Sequence, residues 1–504
     1  MSSVVSPSAA NPLPTGELVR VLEPFAARLE GDAAVRLTGV HHDSRSVEPG
    51  DLFVALSEGE AERARHVSEA IARGAVAVLV GADAVLPSSS VPVLRVTDAR
   101  RAMAFAAEAV LGSPSRALRV VGVTGTNGKT TTTRFVAHGL RAIGVRVASL
   151  GTLGFDWDGK LEPGIFTTPE ADEVSRRLAR VRDEGGTHVV MEVSSHGLEL
   201  CRVAGLTFEV AAFTNLTQDH LDFHGTMEAY ARAKARLFDE FSPRAAVINV
   251  DDAFGRTLAA RFPGRCLTVG RSAEASVRAL VAGADARGIH AEVDAEGTRV
   301  ELESPLLGAH NLENLLVALG TLVALGVSPE RAAAVLSTAE PAAGRLERCD
   351  GPGDDVLVVV DYAHTPDALE RVLAALRPLT RGKLICVFGC GGDRDPGKRP
   401  KMGAAAAVGA DRVIVTNDNP RTEDPQAIAA AIVSGFPRSA PAPEIELDRA
   451  RAIARAVKDA APGDTVLLAG KGHETYQIFG DERRPFDDRV EARRALAERR
   501  GVSA

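Results

Sequence analysis

The sequence predicts an α/β protein of three domains, the second and third built on mainly parallel sheets with helices on both faces. Three observations carry this. Short, nearly continuous apolar runs alternate with helical stretches over most of the chain, the pattern of strands buried on both faces. Junctions rich in small residues and proline, "GSPSRA" (112–117) and "AEPAAGRLE" (339–347), divide that alternation into blocks and read as linkers. At 504 residues the chain exceeds what one hydrophobic core serves, and about three domains is the ordinary expectation.

The first block covers 1–112. Its opening, residues 1–16, has neither a basic nor an apolar segment and is expected to be a loose tail, not a secretory signal. "GDLFVAL" (50–56), "GAVAVLV" (74–80) and "VPVLRVTD" (91–98) read as strands, and "DARRAMAFAAEAVLG" (98–112) as a helix stopping at Gly112. In the second block, 113–340, "LRVVGVT" (118–124), "VRVASL" (145–150), "THVVMEV" (187–193), "VAAFTNL" (210–216) and "AAVINV" (245–250) are buried-strand candidates. Between the first two lies a helix, "TTTRFVAHGLRAIG" (131–144), with Val136, Leu140 and Ile143 as its apolar residues. The third block, 341–504, repeats the alternation with "DVLVVVD" (355–361), "KLICVFG" (383–389), "DRVIVTN" (411–417) and "DTVLLAG" (464–470), and is expected to be Rossmann-like. Ligands of such sheets sit beyond the carboxyl ends of the strands. The loops to inspect are therefore "DYAHTP" (361–366), "GCGGDRDPGKRP" (389–400), "NDNPRTED" (417–424) and "GKGHE" (470–474).

Composition excludes several classes. A formal net charge of −8 gives no field that draws nucleic acid or anionic lipid, and 4% aromatic residues leave little for base stacking. No apolar run approaches membrane-spanning length. The five cysteines, Cys201, Cys266, Cys349, Cys386 and Cys390, form no C-x-x-C pair and are expected to be reduced packing thiols of a cytoplasmic protein.

The clearest chemical signal is "GVTGTNGKTTTT" (122–133). The standard phosphate loop, G-x-x-x-x-G-K-[ST], would need a glycine where Val123 stands. Gly125 supplies a shorter form, G-x-x-G-K-T-T, between a buried strand and a helix. That context turns backbone N–H groups and a helix N-terminus toward an anion. Lys129 then reaches the terminal phosphates and Thr130 offers a hydroxyl to Mg²⁺. Glu192 ends a strand, where a carboxylate can hold Mg²⁺ across from the loop. His220 and His224 have the spacing of a zinc helix, but "HLDFH" lacks the glutamate of H-E-x-x-H, and His224 is expected to be a surface or supporting histidine. Lys234 reads as an ordinary helix-surface lysine, and Asn311 and Asn314 as helix N-caps. Arg421, after a strand of a doubly wound sheet, offers a fork suited to a carboxylate.

An ordered series of motifs runs along nearly the whole chain: "DSR" (43–45), "PGDLFVAL" (49–56), "GTNGKTT" (125–131), "TTP" (167–169), "MEVSSH" (191–196), "NLTQDHLDFHG" (215–225), "YARAKARLF" (230–238), "GAHNLENLLVAL" (308–319), "GRLE" (344–347), "DYAHTPDAL" (361–369), "GDRDPGKRP" (392–400), "DNPR" (418–421) and "GKGHE" (470–474). This series resembles the Mur ligase family, which also includes folylpolyglutamate synthetases. The resemblance implies an N-terminal UDP-binding domain, a central ATP-binding domain, and a C-terminal domain that reads an amino acid. It also implies a reaction in which ATP phosphorylates a carboxylate and an amine attacks the acyl phosphate. The set is most similar to members that add meso-diaminopimelate to the γ-carboxylate of UDP-MurNAc-L-Ala-D-Glu, a step of peptidoglycan synthesis that serves cell shape and division.

Carried over residue by residue, the resemblance implies an ATP cradle of Gly125, Thr126, Asn127, Gly128, Lys129, Thr130 and Thr131, with Asn311 against adenine and Arg345, Asp361 and His364 completing the nucleotide contacts. It makes Lys129, Glu192, His220 and Lys234 catalytic, with Lys234 carbamylated and serving Mg²⁺ beside Thr130, Glu192 and His220. Ser44, Thr167, Thr168, Ser194 and Arg202 match contacts to the UDP-sugar peptide. Arg394, Asp418, Asn419, Pro420, Arg421, Gly470 and Glu474 match contacts to diaminopimelate, whose distal carboxylate Arg421 would select over lysine. A monomer without nucleic-acid or membrane partners is the family expectation. Phe166 stands where relatives often have Asn, Leu200 where they often have Gln, and "EGEAERARH" (58–66) where many have a glycine-rich stretch. A folylpolyglutamate synthetase, a phosphate-loop ATPase or switch without ligation, and an inactive scaffold are the other readings; the first leaves "DSR" and "DNPR" without a use.

Overall fold

The computed structural model describes residues 12–86, 89–285, 288–340 and 344–501. Residues 1–11 of the expected tail and 341–343 of the second expected linker lie outside them. The chain forms two compact units, one of Met1–Leu280, Val293–Val300 and Glu313–Leu336, the other of Val281–Glu292, Glu301–Leu312 and Ser337–Ala504.

The first unit holds two large sheets and a short two-stranded one that pairs Leu13–Pro14 with Arg36–Leu37. The smaller of the large sheets has the strand order Arg28–Glu30, Val93–Val96, Ala77–Gly81, Asp51–Val54, Gly39–His41, parallel except for its first pair. Leu52, Val54, Leu79 and Leu94 on one face pack with Met103, Ala106 and Ala107 of helix Ala99–Val110. "GSPSRA" is not a loose linker: Pro114–Ala117 forms one helical turn, and Ser115 is buried with its hydroxyl donating to Glu108 over 2.6 Å. Proline at the first helical position presets that turn.

The larger sheet orders its parallel strands Val147–Gly151, His188–Glu192, Arg119–Thr124, Val210–Phe213, Ala245–Asn249 and Arg265–Gly270. All five residues of His188–Glu192, Val210–Phe213's four and Ala245–Asn249's five are buried, as continuous apolar runs require in a two-sided sheet. Arg119–Thr124 lies in the middle; the chain leaves it toward Val147–Gly151 on one side and later returns to Val210–Phe213 on the other. The loop after Arg119–Thr124 therefore opens at the place where strand order reverses, where such sheets bind ligands.

The second unit is a Rossmann-like sheet ordered Glu347–Arg348, Leu357–Asp361, Thr465–Ala469, Leu384–Phe388, Arg412–Val415, Glu444–Ile445, parallel except for its first pair. Its alternating residues build two cores: Val359, Cys386, Val415 and Leu467 face one side, Val358, Val360, Ile385, Ile414 and Leu468 the other. Cys349, Cys386 and Cys390 are buried free thiols, pushed up to about 12 by burial, which suits packing residues. Among the described residues no helix is long and apolar enough to cross a membrane.

Candidate functional site

Val123 lies inside its strand, fully buried, so the phosphate loop begins only at Gly125. Gly125 has φ +147° and a Cβ there would overlap the Thr214 hydroxyl; Gly128 has φ +83° and a Cβ would overlap Asn314 Oδ1. Only glycine fits both the conformation and the space. The loop is tied to the neighbouring strand end: Thr126 N donates to Asn215 O (2.8 Å), Asn127 N to Asn215 Oδ1 (2.9 Å), and Thr214 Oγ1 to Asn127 O (2.6 Å). Helix Lys129–Ala142 starts directly from Gly128, with Thr130 and Thr131 in its first turn. Lys129 Nζ curls back onto the loop, donating to Gly125 O (3.0 Å) and Thr126 O (2.9 Å).

Glu192 is 1% exposed at its strand's carboxyl end. Its carboxylate accepts from Thr130 Oγ1 (3.0 Å), Thr152 N (2.8 Å) and Thr152 Oγ1 (3.3 Å). Burial pushes its pKa up, against the opposing charge of Lys129 and these donors. Gly151 makes room for it, since a Cβ there would strike the carboxylate. A buried carboxylate beside a threonine hydroxyl at the phosphate loop is the hard-oxygen set that Mg²⁺ prefers.

Lys234 overturns its sequence reading. It is 1% exposed on helix Met227–Asp239, with Nζ donating to Gly125 O over 2.7 Å and lying 4.3 Å from the Tyr230 ring centroid. Burial, and then the charge of Lys129, bring its pKa well below that of a free lysine. Tyr230 in turn donates to Thr126 Oγ1 (3.2 Å). His220 is exposed in the left-handed region (φ 52°), 3.5 Å from Asp219, with its ring 4.8 Å from that of His196. His224 Nε2 lies 3.0 Å from Ser195 Oγ. Among the described residues no three His, Cys, Asp or Glu side chains gather as a metal group, so the expected set needs Thr130 and Lys234 to be complete.

Thr167, Thr168, Ser194 and Arg202 come together. Thr168 Oγ1 donates to Glu192 O (2.9 Å) and lies 3.1 Å from Ser194 Oγ; Arg202 donates to Thr168 O (3.0 Å); Thr167 Oγ1 lies 3.0 Å from Thr152 Oγ1. Arg202 also pairs with Glu170 (2.8 Å) and lies over the Phe166 ring at 4.4 Å, so the departure at Phe166 becomes a stacking partner for the arginine. Ser44 is buried in the turn Ser44–Ser46 and donates to Glu69 over 2.9 Å, apart from that group.

Asn311 and Asn314 are not N-caps. Both lie within helix Ala309–Ala324, and Asn311 Nδ2 donates back to Leu307 O (2.8 Å). In the second unit, Asp361 accepts from Leu346 N and Ala363 N, each 2.8 Å, which fixes Arg345 and His364 on either side. Arg345 lies 5.2 Å over the Tyr362 ring, and His364 Nδ1 lies 2.9 Å from Tyr362 O.

Asp418, Asn419 and Pro420 are buried, while Arg421 is half-buried with φ 52°. Its backbone N donates to Ile478 O (3.0 Å) and its Nη1 to Gly392 O (2.6 Å). A Cβ on Gly391 would stand 3.0 Å from Arg421 Nη1 and 3.7 Å from Arg394 Cγ, so both arginines flank one glycine. Asn419 Nδ2 donates to Glu474 Oε2 (2.9 Å), and a Cβ on Gly470 would lie 3.2 Å from Asp418 Oδ2.

Sequence reasoning missed Lys471 and the Arg449–Asp488 pair. Lys471 is fully buried, 3.0 Å from Glu474 and 3.6 Å from Asp418. Its signal was present, a lysine two residues past the buried strand Thr465–Ala469. Arg449 and Asp488 are both fully buried and bidentate at 2.7 Å; Arg449 also donates to Asn417 O (3.2 Å) and Ala469 O (3.0 Å), holding both loop bases. Nothing local marks partners that distant in sequence.

Residues 123–322 match the Mur ligase middle domain and 344–472 the Mur ligase glutamate ligase domain. The chain is 48% identical over 490 residues to the UDP-N-acetylmuramoyl-L-alanyl-D-glutamate–2,6-diaminopimelate ligase of Synechococcus elongatus, covering 96% of this chain and 98% of that one. The chain belongs to the Mur ligase family. A Mur ligase of the same description from Pseudomonas putida is 48% identical over 469 residues, covering 90% of this chain and 94% of that one. A solved Mur ligase structure, also described as a UDP-N-acetylmuramoyl-L-alanyl-D-glutamate–2,6-diaminopimelate ligase, superposes with a TM-score of 0.76 at 36% identity, covering 97% of this chain and 99% of that one.

Proposed function

We propose that the chain is an ATP-dependent ligase joining meso-diaminopimelate to the D-glutamate γ-carboxylate of UDP-MurNAc-L-Ala-D-Glu, in peptidoglycan precursor synthesis. The observation that carries the amino-acid choice is the edge formed by Arg421, Arg394, Asn419 and Glu474. The Arg421 guanidinium beside Gly391, with the Arg394 stem on the same glycine, and a carboxylate tied to Asn419 complement a carboxylate and an ammonium on one carbon, the far end of diaminopimelate. Lysine has only the ammonium, and an unpaired arginine fork penalises it.

The chemistry follows from the residues. Lys129 leaves the carbonyls of Gly125 and Thr126 for the ATP phosphates, whose remaining charge meets the loop N–H groups and the helix N-terminus. Asn311, Arg345, Asp361 and His364 are assigned to ATP. Thr130, Glu192, His220 and carbamylated Lys234 would hold Mg²⁺, which supplies neutralisation of phosphate charge. A deprotonated Lys234 amine forms the carbamate by adding to CO₂ and losing a proton; burial favours the neutral amine this requires. Thr167, Thr168, Ser194 and Arg202, joined to Glu192, hold the acceptor peptide with its carboxylate at the phosphate loop, and Ser44 takes the UDP end. The γ-carboxylate attacks the terminal phosphorus of ATP and ADP leaves. The amine of diaminopimelate then attacks the acyl phosphate, expels phosphate and loses a proton. Positioning of three anionic groups is the main catalytic contribution.

The three blocks 1–112, 113–340 and 341–504 serve as UDP-sugar, ATP and amino-acid domains of a cytoplasmic monomer. Phosphate release with ATP, Mg²⁺ and UDP-MurNAc-L-Ala-D-Glu is the test. Release with meso-diaminopimelate and not L-lysine is expected; equal release with both discards Arg421 as selector, and release with neither discards the ligase.

A further inference from the structure

Lys471 is 0% exposed, and three oxygens surround its ammonium: Glu474 Oε2 at 3.0 Å, Asn419 Oδ1 at 3.3 Å and Asp418 Oδ1 at 3.6 Å. The Tyr476 ring centroid lies 5.6 Å away. An ammonium has three donors and no acceptor; this one donates to Glu474 and Asn419, and Asp418 adds an ion-pair contact. The oxygens belong to two loops, one after strand Arg412–Val415 and one after Thr465–Ala469, which Leu384–Phe388 separates in the sheet. Lys471 thus joins two loops that are not adjacent, beyond the bases that Arg449 holds. A buried ion pair is poor evidence of net stabilisation, because desolvation offsets the attraction. The retained charge is better explained by what it holds in place.

We propose that Lys471 is a positioning residue: it locks the Asp418–Arg421 loop to the Gly470–Glu474 loop and orients Glu474 to receive the distal ammonium of the incoming diamino acid. Both Asn419 Nδ2 (2.9 Å) and Lys471 Nζ (3.0 Å) land on one Glu474 oxygen, Oε2, which leaves the other for substrate. Two carboxyl groups, Asp418 and Glu474, face one lysine. Without Lys471, Glu474 keeps only the Asn419 hydrogen bond and loses its charged anchor. The proposal rests on the amino-acid site assigned above.

The experiment compares wild type, Lys471→Met, Lys471→Gln, Glu474→Gln and the double variant Lys471→Met/Glu474→Gln as full-length protein. Phosphate release is followed with meso-diaminopimelate or ATP varied, and thermal unfolding is recorded alongside. Each folded Lys471 variant is expected to raise KM for diaminopimelate about tenfold or more while KM for ATP stays within about twofold. On the Glu474→Gln background the same change is expected to add less than about threefold, because Lys471 acts through Glu474. An unchanged diaminopimelate KM, a parallel rise for ATP, or full additivity in the double variant overturns the proposal. Should Lys471→Met not fold, Lys471→Gln, which keeps two donors, decides by the same criteria. Wild type inert with diaminopimelate overturns the substrate reading and the proposal together, a result set apart by its appearance before any substitution.

Discussion

Lys129 and Lys234 donate to the same carbonyl oxygen, that of Gly125, over 3.0 and 2.7 Å. Two ammonium groups converge where a phosphate loop would receive anions, and each lysine's pKa is lowered, by burial first. The arrangement stores repulsion that an anion relieves.

Lys129→Ala is therefore expected to lower ligation by on the order of a hundredfold to a thousandfold, the usual cost of losing one donor to developing charge. The melting temperature is expected not to fall, because the substitution also removes a like charge beside Lys234. Steady-state phosphate release with a thermal melt checks both; ligation near the wild-type rate removes Lys129 from the phosphate site.

Lys234 is expected to gain one CO₂ in mass in bicarbonate buffer, and to lose it on acidification, when the carbamate is protonated and breaks down. Intact-protein mass spectrometry reads the change. Lys234→Arg, which keeps its proton at all working pH values, is expected to gain nothing, and an equal gain would place the modification elsewhere.

Gly151→Ala is expected to act on Glu192 without touching the phosphate loop, since the added methyl meets that carboxylate. Overpacking of this kind costs about 1–3 kcal/mol. The Mg²⁺ concentration for half-maximal activity is expected to rise several-fold, with the UDP-substrate KM less affected. A magnesium titration at fixed ATP would show it, and an unchanged midpoint would take Glu192 out of the metal set.

A pH signature is expected from His42 and Asp172, which lie 2.9 Å apart, Asp172 also pairing with Arg176 at 3.0 Å. The hydrogen bond that His42 Nδ1 donates to Asp172 raises His42 above 6.5. Burial pushes Asp172 up, but the hydrogen bonds and charges of His42 and Arg176 outweigh it and hold the carboxyl well below 3.8. The His42 contribution is complete below pH 6.5 and lost as pH rises through its raised value. The Asp172 contribution is complete above pH 3.8 and lost as pH falls through its depressed value. Asp172→Asn is thus expected to cost about 2 kcal/mol between roughly pH 4 and 6.5, and less on either side. Denaturant unfolding of both proteins across pH measures it; a pH-independent difference discards the pair.

The parallel sheets were legible because strands buried on both faces leave unbroken apolar runs: "THVVMEV" became His188–Glu192 with every residue buried. Gly125, Lys129 and Glu192 were legible because loop, lysine and strand end each carry a local constraint. Lys234 was not, since "YARAKARLF" has the periodicity of any amphipathic helix and only the tertiary fold brings its fifth residue to Gly125 O. Asn311 and Asn314 misled for a related reason. A polar residue near a helix start resembles a cap until the helix is seen to begin at Ala309. Lys471 shows the limit of motif reading: the glycines and glutamate around it drew attention, and the buried cation among them did not.

The phosphate loop's dependence on Thr214, Asn215 and Asn314 bears on how the chain is made. Ribosomal synthesis adds about 5–20 residues per second. Lys129 is therefore added on the order of ten to forty seconds before Asn314. During that interval the glycine-rich segment lacks the neighbours that fix its shape. ATP binding can serve as a marker of nearly finished translation: a nascent chain halted before Asn314 should not bind the nucleotide that one released after it does.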